Sequence, residues 1–165
     1  MHKVLIVVDM QNDFITGSLG TKEAQAIVPN VKKKIDEAVQ NQDYIIYTRD
    51  THFQNYLDTR EGKKLPVEHC IARTNGWRVP VELLPPAIYE RMHILDKYTF
   101  GAYDLPANLN KILTDMGAKL DYEEIELVGL CTDICVVSNA LLLKSYFYDS
   151  LEISVDATCC AGVTP

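Results

Sequence analysis

The amino-acid sequence predicts an α/β protein, with a three-layer, Rossmann-like parallel β-sheet flanked by helices on both faces. Short apolar segments rich in β-branched residues alternate with helical patterns along the chain. Consecutive residues of these segments are apolar, which is typical of strands that are buried on both faces. Most of the segments end at ionisable side chains. Since ligands of such sheets bind at the carboxyl ends of the strands, these ends are the first candidates for a functional site.

Five segments are predicted to form the strands. In chain order they are Val4–Val8, Tyr44–Tyr47, Ile94–Leu95, Ile125–Leu130 and the weaker Leu151–Val155. The polar groups that follow them are Asp9, Thr48-Arg49-Asp50, Asp96-Lys97, Cys131-Thr132-Asp133 and Asp156. Because the carboxyl ends of parallel strands lie along one edge, we expect the first four groups to meet there.

Helical periodicity occupies three of the intervals between strands. Pro29 suits the first turn of the first helix. Its apolar face comprises Val31, Ile35, Ala38 and Val39. The second helix is expected to begin after Pro106 and to end at Gly117. Its apolar face comprises Leu109, Ile112, Leu113 and Met116. The third is expected to begin near Thr132 or Asp133, where either side chain could cap it.

Length and composition indicate one domain over residues 1–165 and exclude several classes of partner. The 16 Lys and Arg and the 23 Asp and Glu give a net charge of −7, which opposes binding to nucleic acid. Apolar runs are too short for a membrane span, so no membrane association is expected. The N-terminus lacks the pattern of a signal peptide, and the five Cys are an odd number. We therefore expect a cytoplasmic protein with reduced thiols.

Cys135 is the candidate nucleophile. The segment from Gly129 passes from a strand into a helix and leaves Cys135 in the first turn, where backbone N–H groups and the helix dipole stabilise a thiolate. The thiolate is the nucleophilic form of cysteine. The alternative is that Cys135 is a buried structural thiol. Three other thiols are interpreted as packing or incidental groups, namely Cys131, Cys159 and Cys160.

Asp9 and Lys97 are predicted to complete a site with Cys135. Partial burial at a strand end should raise the pKa of Asp9 and suit it to accept a proton. Lys97 supplies a cation that favours both a thiolate and a carboxylate. Each residue alone is compatible with an ordinary surface ion pair. Three complementary groups at three strand ends favour catalysis.

A second set of residues has the chemistry of metal ligands. Asp50 and His52 are two positions apart, so in extended chain they point the same way. His69 lies in the long 51–92 segment, which shows no sustained periodicity and is predicted to fold over the site. Two imidazoles and one carboxylate suit zinc, iron or manganese. The spacing alone is also compatible with exposed polar residues that bind no metal.

The sequence resembles the isochorismatase-like cysteine hydrolases and, within them, the nicotinamidases. The resemblance covers nearly the whole chain and rests on the segments Val7–Phe14, Thr48–His52, Pro66–Cys70, Asp96–Lys97 and Val128–Val136. It implies a catalytic triad of Asp9, Lys97 and Cys135. It also implies a cis peptide bond just before Cys131, with the backbone N–H groups of Cys131 and Cys135 directed at the oxyanion.

In nicotinamidases the metal ligands match Asp50, His52 and His69, and the metal holds the pyridine nitrogen of the substrate. The resemblance therefore implies a divalent metal cofactor, with zinc expected first and iron or manganese as alternatives. Two features depart from the family pattern. The family's tryptophan and proline before the last metal histidine are replaced by Leu65-Pro66, one residue further away. The family also continues with a further helix beyond the position of Pro165.

The first departure leaves the aromatic wall of the substrate pocket to other residues. The expected substrate-binding residues are Phe14, Trp77 and Tyr103. The function implied is hydrolysis of nicotinamide to nicotinate and ammonia through a thioester, by an enzyme expected to be a homo-oligomer. One alternative is a metal-independent hydrolase of another small amide or carbamoyl compound. The other is a noncatalytic thiol or metal sensor that uses Cys131, Cys135, Cys159 and Cys160.

Overall fold

The computed structural model describes residues 2–86, 89–116 and 122–164. The elements follow in the order β1 (His2–Val8), α1 (Asn12–Ile15), α2 (Lys22–Gln40), β2 (Tyr44–Asp50), α3 (Arg60–Lys64), β3 (Met92–Lys97), α4 (Leu105–Met116), β4 (Tyr122–Leu130), a π-helical turn (Thr132–Val136), α5 (Val137–Phe147) and β5 (Glu152–Ala161). Short 3₁₀ turns lie at Tyr56–Asp58, Val81–Leu83 and Tyr89–Arg91. The predicted alternation of strands and helices is confirmed.

The five strands form one parallel sheet in the order β3-β2-β1-β4-β5. Central strand β1 is fully buried from Val4 to Val8. Alternate side chains of the strands enter two apolar cores, one on each face of the sheet. One core is closed by α2 and contains Leu5, Val7, Ile45, Tyr47, Val31 and Ile35. The other is closed by α4 and α5 and contains Val4, Ile6, Val8, Ile46, Leu109 and Leu143. The three-layer α/β fold is therefore as predicted.

Helix α2 begins at Lys22, seven residues before the expected start at Pro29. The Thr21 hydroxyl accepts a hydrogen bond from the N–H of Ala24 and so caps the first turn. Ala24 and Ile27 are buried, which extends the apolar face of the helix toward its start. Pro29 is exposed inside the helix. The predicted start at Pro29 was wrong. The Thr21 cap and the buried side chains stabilise the additional helical turns by more than the proline costs through the loss of one backbone hydrogen bond.

Two other boundaries differ from expectation. Neither predicted side chain caps the turn that precedes α5, and Asp133 instead accepts a hydrogen bond from the N–H of Val163 at 3.1 Å. Strand β5 continues past Asp156 to Ala161, because the Asp156 carboxylate pairs with Lys34 of α2 at 2.8 Å within the strand. The expected helix end at Gly117 lies outside the described residues.

No helix in the described ranges has both the length and the apolar character needed to cross a membrane.

Candidate active site

The predicted site residues lie side by side at the carboxyl edge of the sheet. Val8 pairs with Thr48 of β2 on one side and with Gly129 of β4 on the other. Asp9 therefore directly follows the central strand of the sheet. On the neighbouring pair of strands, Asp50 is in register with Lys97. The parallel register thus brings together residues as far apart in the chain as Val8 and Gly129.

Lys97 lies between Asp9 and Cys135. Its Nζ is 2.7 Å from Asp9 Oδ2 and donates a hydrogen bond to Cys135 Sγ at 3.4 Å. A third contact, to the carbonyl oxygen of Thr99 at 3.1 Å, fixes the ammonium. Asp9 is 0%, Lys97 3% and Cys135 6% exposed, so all three are shielded from bulk water. The structure brings the three residues of the predicted triad together.

The Asp9 carboxylate is also held by Thr48, a residue that sequence reasoning missed. The Thr48 hydroxyl donates to Asp9 Oδ1 at 2.7 Å, and the N–H of Asp9 donates to the Thr48 carbonyl at 3.1 Å. Asp9 adopts a φ of 48°, where the chain turns away from the sheet. These contacts leave the other carboxylate oxygen facing Lys97. The sequence analysis places Thr48 among the polar residues after the second strand, but nothing in the sequence indicates this contact with Asp9.

Burial controls the protonation of the site. It raises the pKa of Asp9, although the Lys97 ammonium acts in the opposite direction. Burial also raises the pKa of the Cys135 thiol, with a further contribution from Asp9. The pKa of Lys97 is raised in spite of its burial, because anionic groups surround it. Burial and the neighbouring Asp9 thus favour the neutral thiol at Cys135, while the Lys97 ammonium favours the thiolate.

The backbone around Cys135 is set by β4 and α5. The Leu130–Cys131 peptide bond is cis, at the position that the family resemblance implied. Gly129 has a φ of 119°, and a Cβ there would lie 2.1 Å from the Val8 carbonyl oxygen, so a side chain is excluded. Buried Asn139 donates to the Cys135 carbonyl at 2.8 Å and accepts from Ala102 at 2.9 Å, which ties the turn to the chain after Lys97.

The predicted metal ligands also converge, and a fourth residue joins them. The ligand atoms of Asp50, His52, Glu61 and His69 all lie within 4.8 Å of one another. Asp50 Oδ2 is 2.9 Å from Nε2 of His52 and 3.5 Å from Nε2 of His69. Glu61 Oε1 is 3.6 Å from His52 and 3.9 Å from His69. We refer to these four residues as the ligand cluster.

Sequence reasoning missed Glu61 because acidic residues are common and this one lies in a segment without periodicity. The structure places it on α3, whose first turn is capped by the Thr59 hydroxyl. Gly62 follows it, and a Cβ there would lie 2.0 Å from the carbonyl oxygen of Tyr56. The close approach of α3 to the Tyr56 turn thus directs Glu61 toward the two histidines.

The donor atoms of the ligand cluster fit a divalent metal ion. Nδ1 of His69 must donate to the Val67 carbonyl at 2.8 Å, so Nε2 is the nitrogen that faces the cluster and could bind a metal. The buried Tyr56 ring packs edge-on against both imidazoles, with centroids 4.6 Å from His52 and 5.0 Å from His69. Two imidazoles and two carboxylates in rigid surroundings suit zinc, iron or manganese.

Asp50 connects the ligand cluster to the triad. Its Oδ1 lies 3.6 Å from Lys97 Nζ, while its Oδ2 faces the histidines. Burial opposes ionisation of Asp50, but hydrogen bonds to His52 and His69 outweigh it and lower the pKa. The buried Gln11 side chain holds the Asp50 backbone from both sides, donating to its carbonyl and accepting from its N–H, each at 2.8 Å.

Cys135 of the triad and three residues of the ligand cluster line one cavity of about 360 Å³. The polar part of its wall includes Asp50, Glu61, His69 and the Cys135 thiol. The apolar part includes Phe14, Leu19, Leu65, Phe100, Ile134 and Val163. The Phe14 ring lies 5.5 Å from that of His69, so this predicted substrate-binding residue lines the cavity. A small planar molecule in this cavity would contact the Cys135 thiol and the ligand cluster at once.

The other two predicted substrate-binding residues lie elsewhere. Trp77 donates from Nε1 to the Thr51 hydroxyl at 2.9 Å, and the Arg49 guanidinium covers its ring at 3.7 Å. These contacts hold Trp77 outside the described cavity wall. Tyr103 is 82% exposed and is also absent from that wall. The aromatic residue that takes their place is Phe100, three positions after Lys97 in a loop without a recognisable pattern.

The cysteines do not assemble as the sensor hypothesis requires. All five lie in the described part of the chain, and each is free. Cys131 lines the cavity with Cys135, while Cys159 belongs to the core beneath α2 and Cys160 packs against the opposite core. The ligand cluster itself consists of carboxylates and imidazoles.

A carboxylate and an ammonium at strand ends, with a thiol in the turn after β4, are the groups that a cysteine-dependent hydrolase requires. The model of the isochorismatase domain matches residues 3–165, and the chain therefore belongs to the isochorismatase domain family. The nicotinamidase of Saccharomyces cerevisiae is 28% identical over 176 residues, which cover 84% of this chain and 80% of that protein.

Two solved structures share the whole architecture. The pyrazinamidase of Pyrococcus horikoshii in complex with zinc has a TM-score of 0.78 and 28% identity, covering 100% of this chain and 89% of that one. The N-carbamoylsarcosine amidase of Thermoplasma acidophilum has a TM-score of 0.77 and 29% identity, covering 98% and 84%. Family and relatives together identify the protein as a hydrolase of amide C–N bonds.

Proposed function

We propose that the protein hydrolyses nicotinamide, or a closely related aromatic carboxamide, to the carboxylate and ammonia. The observation that carries the proposal is the shared cavity. The Cys135 thiol, which is backed by Lys97 and Asp9, lines the same wall as the His69 imidazole and the carboxylates of Asp50 and Glu61. A flat ring carrying a carboxamide has the size and the two polar ends that such a cavity accommodates.

The first half of the proposed reaction forms a thioester. Asp9 accepts the proton of the Cys135 thiol, and the sulfur attacks the amide carbonyl carbon. The negative charge on the carbonyl oxygen is stabilised by the backbone N–H groups of Cys131 and Cys135. Asp9 then gives its proton to the nitrogen as the C–N bond breaks, and ammonia leaves. Lys97 remains cationic throughout and stabilises the anionic forms of both partners.

The second half releases the acid. Asp9, again a carboxylate, accepts a proton from a water molecule that attacks the thioester carbonyl. The C–S bond breaks, the carboxylic acid departs, and the proton returns to the Cys135 sulfur. The Thr48 hydroxyl holds the carboxylate of Asp9 in one orientation for both transfers. The raised pKa of Asp9 suits a group that takes and returns a proton in each turnover.

Asp50, His52, Glu61 and His69 would hold a divalent metal, with zinc as the first candidate. When bound, such an ion supplies an electrophile that accepts a lone pair from the substrate ring and orients it. The apolar wall, including Phe14 and Phe100, would then pack against the ring faces and exclude water. The zinc complex of the similar pyrazinamidase of Pyrococcus horikoshii supports this assignment.

An ammonia-release screen of small amides, with and without a chelator, tests the proposal. Nicotinamide and pyrazinamide should be hydrolysed by the metal-loaded protein, and removal of the metal should reduce turnover reversibly. Failure to release ammonia from any aromatic carboxamide would reject the substrate assignment.

A second candidate substrate class is a carbamoyl or ureido compound. The similarity to N-carbamoylsarcosine amidase favours it, because the structural match to that enzyme covers 98% of this chain. The same screen separates the two candidates. Activity on a carbamoyl compound that survives chelation, together with inertness toward nicotinamide, would select this class.

A further inference from the structure

The segment that follows β1 carries a second carboxylate, Asp13, for which the proposed reaction has no use. We propose that Asp13 is a positioning residue, which holds the two histidines of the ligand cluster in the geometry that a metal requires. The inference rests on the metal centre of the proposed function. It concerns a residue that touches neither the substrate cavity nor the ligand atoms themselves.

The first link is a hydrogen bond from the backbone next to His69. Asp13 Oδ2 accepts from the N–H of Cys70 at 2.8 Å. Cys70 is fully buried and has a φ of 48°, so the chain turns sharply directly after His69. A carboxylate is a strong acceptor for a backbone N–H group, and here it fixes the peptide that leaves the histidine.

The second link runs from the same residue to His52. The carbonyl of Cys70 accepts from the N–H of His52 at 2.9 Å, and the N–H of Ala72 donates to the carbonyl of His52 at 2.8 Å. The 70–72 segment therefore pairs with His52 like a short parallel strand. Because both histidines depend on this segment, its anchor at Asp13 sets the position of one imidazole relative to the other.

The residues packed around the Asp13 carboxylate hold it against the N–H of Cys70. A Cβ at Gly76 would lie 2.1 Å from Asp13 Oδ2, and a Cβ at Gly17 would lie 2.4 Å from Oδ1. The N–H of Asp13 also donates to the Gly76 carbonyl at 2.9 Å. The carboxylate is thus confined between two glycines, and it has little freedom to leave the Cys70 amide.

A positioning role and a merely structural role predict different measurements. If Asp13 only stabilises the fold, its loss lowers the unfolding temperature but leaves the metal affinity of the folded protein unchanged. If it positions the histidines, the folded protein itself binds metal less tightly. Residues that support metal ligands from outside the coordination sphere typically contribute about 10- to 100-fold in affinity.

The test is a Zn²⁺ titration in competition with a chromophoric chelator, combined with the absorption spectrum of the Co²⁺-loaded protein. Asp13→Ala should weaken Zn²⁺ binding by about 10- to 100-fold and alter the Co²⁺ bands. Asp13→Asn should stay within a few-fold of the parent, because its amide oxygen can accept the same N–H. Asp115→Asn, on the exposed face of α4, is the matched control and should change nothing.

Gly76→Ala provides an independent variant, because it should displace the carboxylate while leaving Asp13 in the sequence. It should weaken Zn²⁺ binding as Asp13→Ala does, and it carries the test if Asp13→Ala fails to fold. Parent-like affinity and Co²⁺ bands in the folded variants would overturn the inference and leave the metal centre intact. Absence of Zn²⁺ binding by the parent protein would overturn both.

Discussion

The triad and the ligand cluster share a cavity but are positioned by different parts of the chain. Asp9 and Lys97 lie at strand ends, and Cys135 follows β4 by one turn. In the ligand cluster, Asp50 alone ends a strand, while His52, Glu61 and His69 belong to the 51–92 segment. The triad is positioned by the hydrogen-bond register of the sheet, which repeats along the strands. The ligand cluster depends on single contacts, such as those of Asp13, Gln11 and Gly62.

This difference suggests that the two groups can be damaged separately. Loss of a triad residue should remove chemistry and leave the metal in place, because the sheet and the 51–92 segment remain packed. Loss of a ligand should weaken metal binding while the thiol and its partners keep their geometry. A direct link between them is the 3.6 Å contact between Asp50 Oδ1 and Lys97 Nζ.

Asp9→Asn is expected to have the largest effect among substitutions that preserve shape. An amide cannot accept the thiol proton, so kcat/KM for nicotinamide should fall by about 10²- to 10⁴-fold. The zinc content, measured by atomic absorption, should match that of the parent protein. A variant that retains parent-like turnover would show that the proton acceptor is another group.

Glu61→Gln tests the other group. We expect Zn²⁺ affinity to fall at least about tenfold, since a neutral amide is a poorer ligand than a carboxylate, and excess Zn²⁺ should restore activity. Glu82→Gln, at an exposed position of the same segment, is the control. Unchanged affinity in chelator competition would remove Glu61 from the ligand set.

The same difference explains how far the sequence could predict the molecule. Apolar runs identified all five strands, and the ionisable residue after each of three strands gave Asp9, Asp50 and Lys97, because sheet geometry needs no detail of the loops. Boundaries were less well predicted. Helix α2 begins at Lys22 rather than at Pro29, because a threonine cap and buried Ala24 are weaker sequence patterns than a proline.

Residues of irregular segments were the main errors at the site. Trp77 was expected in the pocket as a replacement for the tryptophan of the family pattern, but its contacts with Arg49 and Thr51 fix it elsewhere. Glu61 and Phe100 were missed because their positions depend on how a loop folds. The conformation of such a loop produces no periodic pattern in the sequence. Burial beside Asp9 raises the pKa of the Cys135 thiol, and the position of Cys135 at the start of a helix does not reveal this burial.

Phe100→Ala should change specificity more than rate. Phe100, Leu65 and Ile134 separate the cavity from a neighbouring groove that is also lined by Tyr98 and Lys64. Removing the ring should join the two spaces and raise the kcat/KM ratio of ring-substituted carboxamides to nicotinamide by about tenfold. Phe53→Ala, an exposed aromatic stacked on Tyr98, is the control. An unchanged ratio would show that Phe100 does not limit substrate size.

The smallest effect is expected far from the cavity, where Asp156 of β5 pairs with Lys34. The hydrogen bond from Lys34 lowers the pKa of Asp156 to about 2. The pair therefore stabilises the fold above the ordinary carboxyl pKa, and this contribution disappears as the pH falls through about 2. Asp156→Asn should lower the free energy of unfolding by about 1 kcal/mol at neutral pH, without affecting turnover. Urea denaturation that shows no difference at pH 7 would contradict this.

The central claim is that the Cys135 sulfur is the nucleophile, and the most direct measurement is ammonia release by Cys135→Ala beside Cys131→Ala. Both thiols line the cavity, so the second variant is a matched control. Cys135→Ala should fold, bind Zn²⁺ as the parent does and release no ammonia above background, while Cys131→Ala should stay active. Ammonia release that survives in Cys135→Ala would contradict the account.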